Sequence, residues 1–346
     1  SAVSGLALAV VGVFFSTTFV NFLNLPSEVK WLTVPFLMIY SIAFPFDYIL
    51  MNTNGILRSC GMIKKSLWIM SVVCVMNIIL DFYLAFYTPL KLNGIALATV
   101  ISIFTGAALS MGYVGKFISG VKFSFSVAKN IIKISWPSGL LQAFWQLASL
   151  VLFLILSLLP RHNVEIMAAL TNGLKIESAI FLPVFAFSLA NAVIVGNLLG
   201  KREDNTAFRA GIVTALMGVL IATLMIVIVM FNARSIATLL SANGLVVSES
   251  MKYIYIALLF EPIMAWGVIL GGGLNGAGDT MGVMVITSLS VWLVRIPLSY
   301  LLSIYFGLGA VSVWWAMNAS IFVQAVFITK RYFTRQWIRK AEIIPA

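Results

Sequence analysis

Long apolar runs, broken by short polar, basic or Gly/Pro-containing segments, organise the chain from end to end. The runs lie at residues 2–24, 31–54, 66–88, 92–115, 134–160, 165–200, 210–232, 253–274, 281–305 and 308–329. Each is about 20 residues or longer, enough to cross the hydrocarbon core of a bilayer as an α-helix. The pattern predicts an all-α, polytopic membrane protein with ten transmembrane helices. No basic segment precedes the first run and no small-residue cleavage site follows it, so it reads as a span and not as a signal peptide.

Composition agrees with this solvent. Of the 346 residues 61% are hydrophobic and 10% charged, with a mean hydropathy of +1.05, whereas soluble domains carry about 25% charged residues. The net charge of +11 is explained by position. Fifteen Lys and Arg fall on one side of the predicted spans, five on the other, and Lys175 and Arg295 inside them. The richer side, which holds both ends of the chain, is expected in the cytoplasm of a plasma (inner) membrane protein. The basic balance is a topology signal and gives no reason to invoke nucleic acid. Cys60 and Cys74 are about 20 Å apart if one helix joins them and read as unpaired packing residues.

A short polar break occurs twice. "LNGAGDT" (274–280) has a worn copy in "LRSCGMI" (57–63), 217 residues earlier. At this offset Pro45 meets Pro262, Gly55 meets Gly272, Leu57 meets Leu274 and Gly61 meets Gly278. After a two-residue gap "LNGIALA" (92–98) meets "GLGAVSV" (307–313). Six spans separate the copies, an even number, so both share one orientation and form a parallel repeat. Gly276 and Gly278 permit a tight turn, and Asp279 or Thr280 is placed to cap the next helix. The repeat divides the chain into a four-helix N-lobe (1–115), a basic amphipathic cytoplasmic linker (116–133), a six-helix C-lobe (134–329) and a basic cytoplasmic tail (330–346). Completing a 6+6 repeat calls for two further helices ahead of Ser1.

Ionisable residues inside spans cost about 2.5–3.5 kcal/mol each on insertion scales and ask for a reason. Asn77 and Asp81 share one helix face at i,i+4, and Thr99 faces them from the next helix. Carboxylate, amide and hydroxyl oxygens suit a proton or a hard cation such as Na⁺. Asn52, nearer the cytoplasmic end of its span, is a weaker candidate to join them. In the second lobe Lys175 and Glu177 lie about 200° apart around their helix and need separate partners, which Glu261 and Arg295 can supply. That charged network reads either as packing or as ion coupling. Asp47 is expected to face a cavity and attract cationic substrate. His162 has no assigned role. No metal cluster, nucleophile–base set or phosphate loop appears, so an enzyme is not expected and no cofactor is called for beyond a coupling ion.

The stretches "WPSGLLQ" (136–142), "GLKIESAIFLPVFAFSLANAVIVGNLLGKRED" (173–204), "LNGAGDT" and "GAVSVWWAMNAS" (309–320) resemble the MATE (multidrug and toxic compound extrusion) family. The resemblance covers essentially the whole chain. It implies twelve helices in two six-helix lobes around a central cavity. It also implies that this chain begins at the family's third helix, and that Asn77, Asp81 and Thr99 belong to an N-lobe ion site. Asn197 stands where the family has Gln, and Gln142 and Gln146 lie where some members carry Glu. The expected activity is secondary antiport: organic, cationic or amphipathic compounds leave in exchange for H⁺ or Na⁺. The alternative is a lipid-linked saccharide flippase of the same broad superfamily. Expected partners are a small-molecule substrate and the lipid bilayer, with the protein a monomer.

Overall fold

The computed structural model describes residues 2–22, 27–118 and 124–341. Residues 23–24 of the first run, 119–123 of the expected linker (Lys122 among them) and 342–346 of the tail lie outside the described residues. Every regular element among the described residues is helical. The chain divides into two compact units, Ser1–Phe123 and Ser124–Ala346.

The first unit holds α1 (Ala2–Phe22), α2 (Ser27–Ser41), α3 (Phe44–Ser59), α4 (Ile63–Phe86) and α5 (Leu92–Ile118). Helix α5 packs against α2, α3 and α4, and α1 against α2 and α3. The core is small, with Leu50, Leu57, Ile69, Val73, Ala107 and Val114 buried together. Along α4, Trp68, Ile79, Phe82 and Phe86 stay exposed, as suits a helix whose solvent is hydrocarbon.

The second unit holds α6 (Phe125–Ser157), α7 (Asn163–Gly200), α8 (Asp204–Phe231), a short α9 (Ala233–Leu240), α10 (Gly244–Leu258), α11 (Glu261–Gly276) and α12 (Thr280–Leu289). Helix α12 continues through a π-helical segment (Ser290–Arg295) into α13 (Ile296–Tyr300) and a second π segment (Leu301–Tyr305). Then come α14 (Ala310–Phe333) and α15 (Gln336–Ala341). Residues 125–133, expected as linker, are the first turns of α6, which starts where Ser124 Oγ accepts the Val127 N–H at 3.5 Å.

Among the described residues eight helices are long and apolar enough to cross a membrane, and ten spans result when two bent pairs are each taken as one. The expected spans 31–54 and 253–274 are these bent ones, turning by 46° between α2 and α3 and by 53° between α10 and α11. The cause is local: Pro45 and Pro262 open the second helix of each pair. Proline lacks an N–H and crowds the residue before it, so it starts a helix readily and continues one poorly.

The repeat holds at the level of single hydrogen bonds. Helices α2, α3 and the start of α4 recur in α10, α11 and the start of α12 at the offset of 217. In one turn the N–H groups of Cys60, Gly61 and Met62 donate to the carbonyls of Ile56, Arg58 and Leu57. In the other, Ala277, Gly278 and Asp279 donate to Gly273, Asn275 and Leu274. Both are Schellman closures with glycine in the left-handed position, Gly61 at φ 76° and Gly278 at φ 82°, a conformation only glycine adopts without strain.

Beyond the turn the register departs from the expected two-residue gap. The helices that follow begin at Leu92 and Ala310, 218 residues apart, so 307–313 spans a turn and a helix start while 92–98 is wholly helical. The π segments occur only in the second copy of this helix, and each π turn accommodates one extra residue. Allowing for the first of them, Asn77 and Asp81 correspond to Arg295 and Ser299.

Candidate functional site

In the first unit α4 and α5 bring together three of the expected residues. Asn77 Nδ2 donates to Thr99 Oγ1 at 3.4 Å, and the Thr99 hydroxyl donates in turn to the Ile95 carbonyl at 3.1 Å. Asp81, one turn further along α4, has its Oδ1 buried without a hydrogen-bond partner. Neither of the two ion pairs among the described residues involves it. A carboxylate oxygen held this way in a low-dielectric setting is costly unless a proton or cation meets it.

Asn52 does not join. It is exposed, and its amide donates to the Tyr48 carbonyl at 2.7 Å. The bend before α3 places it in the half of that helix nearer the Gly61 turn, more than two turns from the bend. Its neighbours Thr53 and Asn54 are the buried ones. Asp47 is half-buried in the first turn of α3, where free backbone N–H groups favour a negative charge.

In the second unit Glu177 is close enough to both Arg295 and Glu261 to interact electrostatically, but no two of the three form an ion pair. The bonded partner of Glu177 is Tyr253, whose hydroxyl donates to Oε1 at 2.7 Å. Arg295 donates from Nε to Ser320 Oγ at 2.9 Å and lies 5.1 Å over the Trp145 ring. Glu261 is buried with its Oε2 unpartnered.

Lys175 stands outside this network. It is exposed and forms no ion pair among the described residues, because its position, about 200° around α7 from Glu177, turns it away from the core. Tyr253 escaped the sequence reading. The signal available was Gly173, one turn before Glu177, whose missing side chain leaves the space that the Tyr253 ring fills.

The "LNGAGDT" turn is also wired differently from the capping expectation. The Asp279 side chain makes no capping bond and instead receives two bonds from Arg331, at 2.5 Å to Oδ2 and 2.8 Å to Oδ1. Thr280 Oγ1 donates to the Ile134 carbonyl at 2.7 Å. A carboxylate gains more from a fork of two guanidinium N–H groups than from a helix terminus whose N–H groups water or backbone can serve.

No group of three or more His, Cys, Asp or Glu suited to a metal occurs among the described residues. Cys60 and Cys74 are free.

Known proteins resemble the chain over most of its length. A probable multidrug resistance protein NorM from Thermotoga maritima is 25% identical over 83% of this chain and 64% of its own length. A protein of the same name from Mannheimia succiniciproducens is 24% identical over 94% of this chain and 73% of its own. The chain thus spans just under two thirds of the Thermotoga relative. A MOP superfamily transporter from Pyrococcus furiosus superposes with a TM-score of 0.91 at 16% identity, covering 99% of this chain and 77% of that one, a likeness of fold. The MatE family pattern matches residues 1–83 and 137–301. With well over half of its residues matched, this multi-pass helical membrane chain belongs to the MatE family.

Proposed function

We propose that the protein is a secondary exporter of organic, cationic or amphipathic compounds, driven by entry of H⁺ or Na⁺, and that Asp81 binds the driving ion. The observation that carries this reading is the unpartnered Asp81 oxygen one turn from the Asn77–Thr99 pair. Those groups offer oxygen ligands and no base to neutralise the carboxylate. The names of the NorM relatives, multidrug resistance proteins, support the export direction. Asp47, at the start of α3, is the negative group proposed to draw cationic substrate. The basic asymmetry of the loops supports a plasma-membrane protein with both ends of this chain in the cytoplasm.

The second unit's cluster contains two carboxyls and one guanidinium, so one carboxyl is in excess. We read Glu177, Tyr253, Arg295 and Ser320 as a packing network, with Glu261 as the site where a proton or cation restores balance.

The test is gradient-driven efflux of a fluorescent cation from vesicles containing the gene product. Asp81→Asn, which keeps shape and removes charge, is expected to fold and to lose efflux. A folded Asp81→Asn protein exporting at the wild-type rate would overturn the assignment.

A further inference from the structure

Between Asp81 and the Gly61 turn, the seam of α3, α4 and α5 carries two groups of polar side chains with an apolar layer between them. On α5 the positions Thr99, Ser102, Gly106 and Ser110 follow one another at helical spacing and share a face. Thr99 meets Asn77 of α4 at one end, and Ser110 accepts from Thr53 Oγ1 of α3 at 2.7 Å at the other. Beside that second pair, Ser66 of α4 donates to Asn54 Oδ1 of α3. Thr53, Asn54, Ser66 and Ser110 are all buried. Ser102 is fully buried as well, and its hydroxyl has no partner.

The layer between is tight. Leu50 and Val73 press onto Gly106 so closely that not even a Cβ fits there. Both side chains belong to the buried core of the unit. Asp81 lies about 12 Å along α4 from Val73, and Ser66 lies about 10 Å the other way, at 1.5 Å per residue.

The fold does not require the lower polar group. At the repeat offsets its four members correspond to Leu270, Gly271, Val283 and Ile328, where the second copy builds the same three-helix corner with apolar residues and one glycine. Buried hydroxyls and amides inside a helical bundle contribute little net packing energy, about 0.6 kcal/mol per interhelical contact. Their presence in one copy alone, together with the unpartnered Ser102, calls for something that passes along them.

We propose that this seam is the route by which the driving ion moves between Asp81 and the cytoplasmic end of the first unit, and that Leu50 and Val73 on Gly106 form its closed plug. Ser102 and the Thr53–Ser110 pair are the stepping groups on either side. A hydrophobic constriction a few ångströms long closes such a path by excluding water and opens when the side chains part. The proposal rests on Asp81 as the ion site.

The experiment uses vesicles of the gene product, with an entrapped pH dye and, in parallel, radiolabelled sodium, so that either ion registers. Thr53→Val combined with Ser110→Ala is expected to lower ion-driven efflux about tenfold while leaving substrate affinity unchanged. Leu50→Ala combined with Val73→Ala is expected to raise substrate-free ion leak about tenfold, and adding the Thr53/Ser110 changes should suppress that leak. Leu50→Val gives a smaller leak and serves if the double variant does not fold. Unchanged efflux in the first variant, or folded plug variants as tight as wild type, overturns the route. Asp81→Asn, run alongside, separates the two ideas: loss of efflux there with intact seam variants leaves the ion site standing and removes only the path.

Discussion

The two copies of the repeat use one backbone for opposite electrostatics. Where the first has Asn77 and Asp81, with Asn77 bonded to Thr99, the second has Arg295 and Ser299, with Arg295 bonded to Ser320. Arg295 donates to Ser320, while the equivalent Ser102 has no donor. The first copy carries an acid that enters no ion pair among the described residues, and the second a base close to the acid supplied by α7. The turns differ likewise. In the first copy Lys65 lies 5.0 Å over the Tyr113 ring. In the second the corresponding positions are Gly282 and Arg331, and the absent side chain at 282 is what lets Arg331 pass to Asp279. Identical closures of the chain thus impose no particular chemistry on the side chains they bring together.

That contrast can be broken experimentally. The largest effect is expected from Asp81→Asn, which should reduce gradient-driven efflux by about two orders of magnitude because it removes the charge proposed to hold the driving ion. Ser299→Ala, its counterpart in the second copy, should leave the rate within about a factor of two. Efflux assays on both variants check the pair, and equal losses would erase the distinction. Next comes Arg295→Met, which removes the base nearest the buried Glu177 together with its bond to Ser320 and should destabilise the second unit by about 1–3 kcal/mol, read as a lower Tm in detergent. Adding Glu261→Gln should recover part of that loss, and no recovery would show that Glu261 and Glu177 do not repel one another.

Smaller effects sit at the turns. Arg331→Ala removes both guanidinium bonds from the buried Asp279 carboxylate, but a third of the Arg331 side chain is exposed and screened, so no more than about 2 kcal/mol is expected. Asp279→Asn in the Arg331→Ala background should then cost little more, as a double-mutant thermal series would show. Lys65→Ala should cost no more than about 0.5–1 kcal/mol, the worth of an exposed cation–π contact. A loss as large as that of Arg331→Ala would mean that the two turns are held equally tightly.

Much of this was legible in the residues because the bilayer enforces it. Spans must be long and apolar, so an all-helical, multi-pass chain reads directly from the pattern. The Gly61/Gly278 turn was legible because a left-handed position leaves few choices of residue. The bends were not, although Pro45 and Pro262 were aligned, since a proline near the middle of an apolar run does not say whether the helix kinks or restarts. Asn77 with Thr99 followed from i,i+4 spacing and a short hairpin. The Tyr253–Glu177 and Arg331–Asp279 bonds join residues 76 and 52 positions apart, and no local period encodes such pairings. The exposure of Lys175 and Asn52 is hidden for the same reason: depth along a span is readable in the sequence, but direction around it is not.

The π segments bear on how such a protein diversifies. An extra residue absorbed as a π turn leaves the path of the span intact and the faces beyond it in register, whereas the same residue carried in a regular α-helix would rotate everything after it by about 100°. One copy can therefore carry a residue more than the other while the positions beyond it keep their places. The correspondence runs through the turns at Gly61 and Gly278 and on to Asp81 and Ser299, where only the side chains differ. Deletion of one residue within 290–294 should accordingly be taken up by a return to regular α-helix, with Arg295 still beside Ser320.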